Sequence, residues 1–374
     1  MIQKDPGFII GPIARFMGWI IDFIFNIVYP ITEKNSLGIS IIILTIIIRF
    51  LILPLAIKSQ KSMIAMQKLA PEMDKIKKKY GDSKDPENQK KMNMEMQALY
   101  SKNKVSPFGG CLPLIIQMPI FFSLTYLMNQ SFLYIAKLRS VYDSLAIQIT
   151  SLQSHISRPL TDWLDWEKML AHVGLPHVPS NMQPFQFVVN DLIPIKDQAG
   201  AIPDLTQAAA NSNMIKLLNR LTEQDWASFF NGTAGIPGIK EYASPEQLAS
   251  ITSLFQQKNN IEMFFGLNLL NNAGWLFPGI IIPILAALTT FASSWLSMKL
   301  TAQTNKDSSA VTQQKIMMVF SSLLFVFFTI NSPVGVGIYW ITSTVFQVIQ
   351  QAFLNKIYGV NLSVQKEDTK QHVG

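Results

Sequence analysis

The chain has 374 residues, of which 49% are hydrophobic and 15% are charged, and its formal net charge is +7. These averages fit one large or two ordinary soluble domains, but the apolar residues are concentrated in runs. Each run approaches the ~20 residues that a helix needs to cross a hydrocarbon core of ~30 Å. The runs are residues 37–57, 111–128, 275–298, 316–330 and 334–353. This pattern disfavours a soluble protein and predicts an all-α polytopic membrane protein with five spans.

The first predicted element, residues 1–33, is less uniformly apolar than the runs that follow it. Its polar and small positions recur every three or four residues and therefore lie on one narrow face of a helix. They are Gly11, Arg15, Gly18, Asp22 and Asn26. We predict an N-terminal amphipathic helix in the membrane interface, with a sixth, slightly polar span as the alternative. The charged residues in this stretch disfavour a cleavable signal peptide.

The charges of the loops predict the orientation of the spans. Residues 58–104, after the first predicted span at 34–57, contain twelve lysines and six acidic residues. Residues 129–274 contain nine basic and twelve acidic residues. By the positive-inside rule, the first segment lies in the cytoplasm and the second lies outside. The surplus positive charge adjoins spans and lacks clustered arginines with interleaved aromatics, which disfavours specific nucleic-acid binding.

Residues 58–105 are rich in Lys, Glu, Gln and Met, a composition that favours helix. Their apolar positions follow helical spacing up to a break at residues 81–86 and resume after it. The pattern predicts a cytoplasmic hairpin of two antiparallel helices. We expect methionines of this hairpin to form an adaptable surface that captures nascent apolar segments. The residues chosen are Met63, Met66, Met92 and Met96. The alternative is that they only hold the two helices together.

The second predicted span, residues 106–128, is followed by a segment long enough to form a domain. Within this segment, residues 129–273, helical patterns at 163–170, 214–221 and 245–255 favour a helical external insertion over a disordered loop. The remaining elements are span 3 at 274–298, a cytoplasmic loop at 299–312, span 4 at 313–331, span 5 at 332–354 and a cytoplasmic tail at 355–374. Spans 4 and 5 must form a tight antiparallel hairpin, because few residues separate their apolar runs.

Arg49 is the one charged residue well inside the five apolar runs, nine residues or ~13 Å of helix from Lys58. A charge at the centre of a bilayer costs about 2.5 to 3.5 kcal/mol on insertion scales. None of the other runs contains an aspartate or glutamate that could pair with Arg49. We therefore predict that Arg49 lies in a water-filled cavity. An arginine held by helix-end carbonyls and hydroxyls is the alternative.

Polar side chains in the spans are available to line such a cavity. They are Thr45, Gln117, Ser123, Thr125, Thr289, Thr290, Ser293, Ser294, Ser321, Ser322, Tyr339, Ser343, Gln347 and Gln350. We predict a substrate groove formed by Arg49, Gln117, Ser294, Tyr339, Trp340, Ser343 and Gln347. Taken singly, each hydroxyl or amide also fits ordinary helix packing. Tyr339 and Trp340 also fit an aromatic belt at the membrane interface.

Several stretches resemble the YidC/Oxa/Alb family of membrane protein insertases. Residues 40–55 are similar to the first conserved span of that family, with its single buried arginine. Similar residues occur in the other spans: Pro107, Gly109, Gly110, Cys111, Pro113, Gln117, Met118 and Pro119 at the second, Pro283, Ile284, Leu285 and Thr289 in the third, residues 313–316 at the fourth, and Pro333, Gly335, Tyr339, Trp340, Ser343, Gln350 and Gln351 in the fifth. Two features depart from the family pattern. The external segment is far longer, and Ser294 stands where members often carry glutamine.

The resemblance implies a five-span insertase core in a bacterial cell membrane. It implies a chain that inserts and helps to fold integral membrane proteins through a hydrophilic groove, with or without the Sec translocon. Nascent membrane proteins, the ribosome and membrane lipids are the implied partners. A groove of this kind shortens the path over which a substrate's acidic tail loses its water, and Arg49 attracts that tail. Burial of the following helix, at about 0.8 kcal/mol per CH₂, then drives the step.

Enzymatic functions have little support in the sequence. There is no glycine-rich loop followed by Lys and Ser or Thr for a nucleotide, so we expect no cofactor and no covalent catalysis. Paired aspartates within spans and a His-Glu-x-x-His motif are also absent, which disfavours an intramembrane protease. His172 and His177 fit solvated loop histidines better than a metal site. The main alternative function is an anion transporter or channel that uses the intramembrane arginine.

Overall fold

The structure is a computed structural model that describes residues 7–81, 85–103, 105, 112–152, 243–301 and 309–371, with residues 215, 218–219, 226–227, 230–233, 236–237 and 239–241. The chain forms two compact units. The insertion unit comprises Met1–Asp5, Gly18–Leu37 and Asn129–Asn271. The span unit comprises Pro6–Met17, Gly38–Met128 and Asn272–Gly374.

The described elements are mainly helices. In chain order they are α1 (Ile10–Thr32), α2 (Ser36–Lys68), α3 (Ala70–Tyr80), α4 (Pro86–Lys102), α5 (Leu112–Asn129), α6 (Ser131–Tyr134), α7 (Ala136–Ser151), β1 (Gly232–Thr233), β2 (Ile236–Pro237), a 3₁₀ turn (Ile239–Glu241), α8 (Pro245–Glu262), β3 (Met263–Phe264), β4 (Leu267–Asn268), α9 (Ile281–Thr301), α10 (Ser309–Ile330) and α11 (Val334–Gln371).

Two described helices are long and apolar enough to cross a membrane: α1 and the Ser36–Ser62 part of α2. The Ile281–Leu296 part of α9 is a shorter apolar helix. No helix ends at residue 57 or 354, where spans 1 and 5 were expected to end, because α2 and α11 continue well beyond those positions. Hydropathy marks where a helix leaves lipid, whereas the backbone stays helical as long as its residues are good helix formers.

In the span unit, α9 packs along both α10 and α11. One face of α9 is buried and includes Ile282, Ala286 and Thr290, whereas Ile284 and Leu288 on the opposite face are at least half exposed. The four-residue spacing of each set is the spacing of a helical face. A side chain at Gly337 of α11 would collide with Ile282, so this glycine permits the close approach of the two helices.

Helices α3 and α4 form an antiparallel pair. The Tyr80 hydroxyl donates to Glu95 at 2.7 Å, and Tyr100 lies beside Met73, with 3.8 Å between the Tyr100 hydroxyl and the sulfur. Helix α4 starts where the Asp85 side chain accepts a hydrogen bond from the backbone N–H of Glu87, an N-cap that satisfies one of the free donors of the first turn.

The insertion unit is built around the packing of α7 against α8. Helix α8 begins at a capping box formed by Ser244 and Gln247. The unit also contains two short hairpins, which were not predicted: β1 pairs with β2 and β3 pairs with β4, both antiparallel. Two-residue strands separated by two residues carry no hydrophobic alternation that a sequence pattern could reveal. The helical pattern at residues 163–170 lies outside the described residues.

The residues of the predicted polar face of α1 differ in exposure: some are exposed and others are buried. Gly11 and Gly18 are buried, and a side chain at Gly18 would collide with Tyr134. The Asp22 carboxylate accepts a hydrogen bond from the backbone N–H of Ala136 at 2.8 Å. The exposed face is largely apolar and carries Phe16, Trp19, Phe23 and Ile27. The glycines therefore mark close packing against protein, which a hydropathy pattern cannot distinguish from a water-facing position.

Candidate functional site

Arg49 of α2 and Ser343 of α11 form the centre of the candidate site. The Arg49 Nε donates a hydrogen bond to the Ser343 Oγ at 2.7 Å. Ser343 is fully buried and Arg49 is half-buried. In the part of the chain that the structure describes, Arg49 forms no salt bridge. The same helices also meet through Phe50 and Phe346, whose rings make an edge contact with 5.3 Å between centroids.

Helix α5 joins this site through Gln117 and Tyr339. The Gln117 Nε2 donates a hydrogen bond to the Tyr339 hydroxyl oxygen at 2.8 Å, and Tyr339 is 1% exposed. Tyr339 precedes Ser343 by four residues, so both side chains lie on the same face of α11. The partners of Arg49 and Gln117 are therefore neighbours on one helical turn.

Helix α9 joins α11 through Trp340. The indole Nε1 of Trp340 donates to the Thr290 Oγ1 at 2.9 Å, and the ring stacks on Phe325 with 3.7 Å between centroids. Phe121 makes an edge contact with the Trp340 ring, with 6.0 Å between centroids. Trp340 is 5% exposed. Because Tyr339 and Trp340 are both buried, their positions give no support to the interfacial aromatic belt.

One turn of α11 thus forms hydrogen bonds with α2, α5 and α9: Ser343 and Tyr339 accept, whereas Trp340 donates. Five of the seven predicted groove residues take part in them: Arg49, Gln117, Tyr339, Trp340 and Ser343. Ser294 and Gln347 are half-buried and make no hydrogen bond to another described residue. Thr290 completes the set. Phe325 was not predicted, because the sequence offers no signal that separates it from the other phenylalanines of its span.

Several polar residues proposed for the lining donate hydrogen bonds to backbone carbonyls. Thr45 donates to the carbonyl of Ile41, and Thr125 donates to that of Phe121. Thr289 likewise bonds to its own helix, at Leu285. Ser123 donates to the Ile10 carbonyl of α1 at 3.2 Å. The side chain of Ser321 lies outside the described residues. A hydroxyl that bonds to its own backbone needs no water, so these residues are weaker evidence for a groove than the cross-helix set.

The family model of the 60Kd inner membrane protein matches residues 27–190 and 195–361. The chain belongs to this family. It is the insertase family that the sequence motifs resemble. As the family and the apolar helices together indicate, the chain is a membrane protein of the cell membrane.

Three relatives illustrate the similarity to named insertases. The chain is 48% identical over 105 residues to "Membrane protein insertase YidC 2" of Bacillus anthracis, covering 26% of this chain and 41% of the relative. It is 53% identical over 89 residues to "Membrane protein insertase YidC" of Alkalihalophilus pseudofirmus, covering 23% and 35%. It is 48% identical over 103 residues to "Membrane protein insertase MisCA" of Bacillus subtilis, covering 25% and 39%. The chain spans less than half the length of these relatives.

The hairpin of this insertase-family member leaves its methionines partly accessible. Met66, Met92 and Met96 are half-buried, whereas the side chain of Met63 lies outside the described residues. Met94, another methionine of this hairpin, is 60% exposed. Half-buried methionines fit both a capture surface and a helix contact. Between the two hairpin helices, the hydrogen bond from Lys79 to Glu95 raises the pKa of Lys79 and lowers that of Glu95.

Metal binding finds no support in the described part of this family member. No group of three or more His, Cys, Asp or Glu side chains that could hold a metal ion occurs among the described residues. His172 and His177 lie outside that part of the chain.

Proposed function

We propose that this chain is a membrane protein insertase that inserts and helps to fold integral membrane proteins at a hydrophilic groove around Arg49. The observation that carries the proposal is the small number of hydrogen bonds that the Arg49 guanidinium makes with described residues. Ser343 accepts from Nε, and the two Nη groups make no hydrogen bond to another described residue. A guanidinium has five N–H donors, so most of its hydrogen-bonding capacity is available to a ligand.

A structural arginine is bonded differently. Buried arginines are usually held by carboxylates in a bidentate geometry, which neutralises the charge and uses both Nη groups. Among the described residues, Arg49 instead has a single hydrogen bond, from Nε to a neutral hydroxyl, which fixes the direction of the side chain without compensating its charge. This arrangement supports a role in transient attraction of an anionic group, such as the acidic tail of a substrate.

The proposed mechanism needs no covalent chemistry. The tail of a nascent membrane protein enters the groove. There, Arg49 and the amide of Gln117 replace part of the hydration free energy that the tail loses. The following hydrophobic helix slides along α9 and α11 into lipid, and its burial at about 0.8 kcal/mol per CH₂ drives the step. The relatives are named insertases, which supports this non-enzymatic role.

We propose a topology of five spans, formed by α2, α5, α9, α10 and the first part of α11. The lysine-rich segment 58–105 then lies in the cytoplasm, with the tail 355–374, and the insertion 129–273 lies outside. The ribosome meets the cytoplasmic side, with or without the Sec translocon beside the chain, and lipids surround the spans.

Helix α1 fits the interfacial position in this topology. Its start is bonded to Ser123, five residues before the proposed outer end of α5. Its end precedes the proposed outer end of α2 by four residues. A helix of 23 residues is ~34 Å long. If both its ends are near the outer surface, it lies along that surface, with Phe16, Trp19 and Phe23 toward lipid.

Arg49 variants test the proposal directly. We expect Arg49→Lys to retain most insertion, because a transient attraction needs mainly the charge. Arg49→Ala should reduce insertion of a substrate with an acidic tail about tenfold, which corresponds to about 1.4 kcal/mol of lost attraction. A substrate that differs only by a neutral tail should lose less than about twofold. The assay is insertion into proteoliposomes of the purified chain, with thermal unfolding of each variant measured alongside.

Arg15 provides the matched control, because it is an exposed cation outside the site, and Arg15→Ala should leave both substrates unaffected. Equal losses for the two tails in Arg49→Ala would contradict the proposed role of the charge. A loss of insertion that follows a loss of thermal stability would assign Arg49 to the framework of the protein.

The hairpin methionines can be tested separately. Converting Met63, Met66, Met92 and Met96 together to serine should reduce crosslinking of a ribosome-bound nascent span at least threefold, because a flexible apolar surface is removed. Gln97→Ser, a change at an exposed polar position of the same hairpin helix, is the single-site control. Undiminished crosslinking by a folded tetra-serine variant would show that these methionines serve only to pack the hairpin.

A further inference from the structure

The loop that precedes α9 is fixed to the turn between α10 and α11. The backbone N–H of Ala273 donates to the carbonyl of Ser332 at 3.1 Å, and that of Gly274 donates to the carbonyl of Ile330 at 3.0 Å. Asn272 also forms an isolated β-bridge with Pro333. The loop is thus held by main-chain bonds at its start.

Two glycines allow this loop to fold back tightly. Gly274 has a φ of +69°, a conformation that L side chains rarely adopt. A side chain at Gly279 would collide with the carbonyl oxygen of Ala273. The backbone N–H of Ile280 then donates to the carbonyl of Leu276 at 3.0 Å, one residue before α9 begins. These contacts give the loop a defined shape.

The defined loop carries three large apolar side chains on its outside. Trp275 is 70% exposed, Leu276 is 81% exposed and Phe277 is 80% exposed. Burying such a side chain is worth about 1.5 to 3 kcal/mol relative to leaving it in water. A contiguous exposed set of this kind marks an interaction surface.

Charge and position indicate which partner covers this surface. No Asp, Glu, Lys or Arg occurs in residues 263–298, a stretch of 36 residues, whereas a single span needs only ~20. The uncharged residues in excess of one span lie before α9 and include the loop. The exposed apolar face of α9, with Ile281 and Ile284, continues directly from it. A protein partner would need an interface of about 1,000 Å² or more, for which three side chains are too few.

We infer that Trp275, Leu276 and Phe277 insert into the outer leaflet of the membrane and anchor the outer end of α9 in lipid. Tryptophan suits this position, because its ring prefers the apolar side of the interface while its N–H reaches polar headgroups. The anchor sets the depth of α9, whose Thr290 holds Trp340. The inference rests on the proposed topology, in which α9 is a span.

Spin labels can locate the loop in the membrane. Cys111 is the only cysteine of the chain, so a Cys111→Ser background accepts a nitroxide at one chosen position. The test position is Leu276→Cys, with Phe277→Cys as a second variant if the first fails to fold. Leu288→Cys, on the exposed face of α9, is the lipid control. Glu246→Cys, exposed at the start of α8, is the water control.

The full chain is reconstituted into vesicles of phosphatidylethanolamine and phosphatidylglycerol, and collision of each label with oxygen and with a neutral nickel chelate is measured by power saturation. We expect the Leu276 label to favour oxygen over nickel at least threefold more than the Glu246 label does. Strong collision with nickel would place the loop in water and overturn the inference. Weak collision with both reagents would indicate a protein partner and would also overturn it. If the Leu288 label itself favours nickel, the proposed topology fails instead.

Discussion

Two cationic side chains that are at least partly buried, Lys258 in the insertion unit and Arg49 in the span unit, differ in whether a carboxylate compensates their charge. In the insertion unit, Lys258 is 5% exposed and its Nζ lies 2.7 Å from the Glu262 Oε2. The same carboxylate accepts hydrogen bonds from Tyr142 at 2.6 Å and from Asn268 at 3.1 Å. In the span unit, Arg49 has only the hydroxyl of Ser343 within the described part of the chain.

The presence or absence of a carboxylate partner distinguishes a structural charge from one that is available to a ligand. The Lys258 ammonium is paired with the Glu262 carboxylate, and its Nζ also lies 5.6 Å from the ring centroids of Tyr142 and Phe255. The Glu262 carboxylate compensates the charge of Lys258 and, through its three hydrogen bonds, joins α7, α8 and the β3–β4 hairpin. An arginine with one neutral partner keeps its charge for another molecule, at the expense of stability.

The largest expected change in stability comes from breaking the buried ion pair between Lys258 and Glu262. Glu262→Gln should lower the free energy of unfolding of the insertion unit by about 3 to 5 kcal/mol, because it leaves a buried ammonium without its counter-charge. Lys258→Met combined with Glu262→Gln should recover part of that loss. Limited proteolysis of the reconstituted chain across a urea series measures both. A small effect of Glu262→Gln would mean that water reaches Lys258, and the contrast with Arg49 would disappear.

Removing the hydroxyl partner of Arg49 should have a smaller effect. Side-chain hydrogen bonds within membranes average about 0.6 kcal/mol and reach about 1.7 kcal/mol. Ser343→Ala should therefore change thermal stability little but reduce insertion of acidic-tailed substrates about twofold to fivefold, because the guanidinium loses its orientation. Thr344→Ala, which removes a hydroxyl bonded to its own helix at Trp340, is the matched control. Identical behaviour of the two variants would show that Ser343 does not orient Arg49.

The smallest effect concerns pH. Burial, together with the neighbouring Glu262 carboxylate, raises the pKa of Tyr142 well above its ordinary value of about 10. In the unfolded chain Tyr142 ionises near pH 10, whereas in the folded chain it stays neutral, so its contribution to stability is lost as the pH rises above about 10. Tyr142→Phe should reduce this loss for the insertion unit between pH 9 and 11, measured by the same proteolysis. An unchanged pH dependence would show that other groups cause it.

Much of the candidate site was predictable because lipid makes a polar residue conspicuous. Arg49 is costly in any apolar run, and Tyr339 and Ser343 are four residues apart, so a helix places them together. Ser294 and Gln347 satisfied the same criteria but make no described hydrogen bond. Hydropathy alone cannot rank polar residues within a span, because the rank depends on which neighbouring helix each one faces.

The helices, their apolar character and the presence of one isolated charge could be read from local composition, because a charge in lipid is costly and apolar runs of this length are rare in soluble proteins. The pairings between helices became visible in the fold. It joined Gln117 to Tyr339 and Trp340 to Thr290, and it showed that Gly18 of α1 is a packing position. Such pairings depend on the distance and rotation between helices far apart in the chain, which no local pattern encodes.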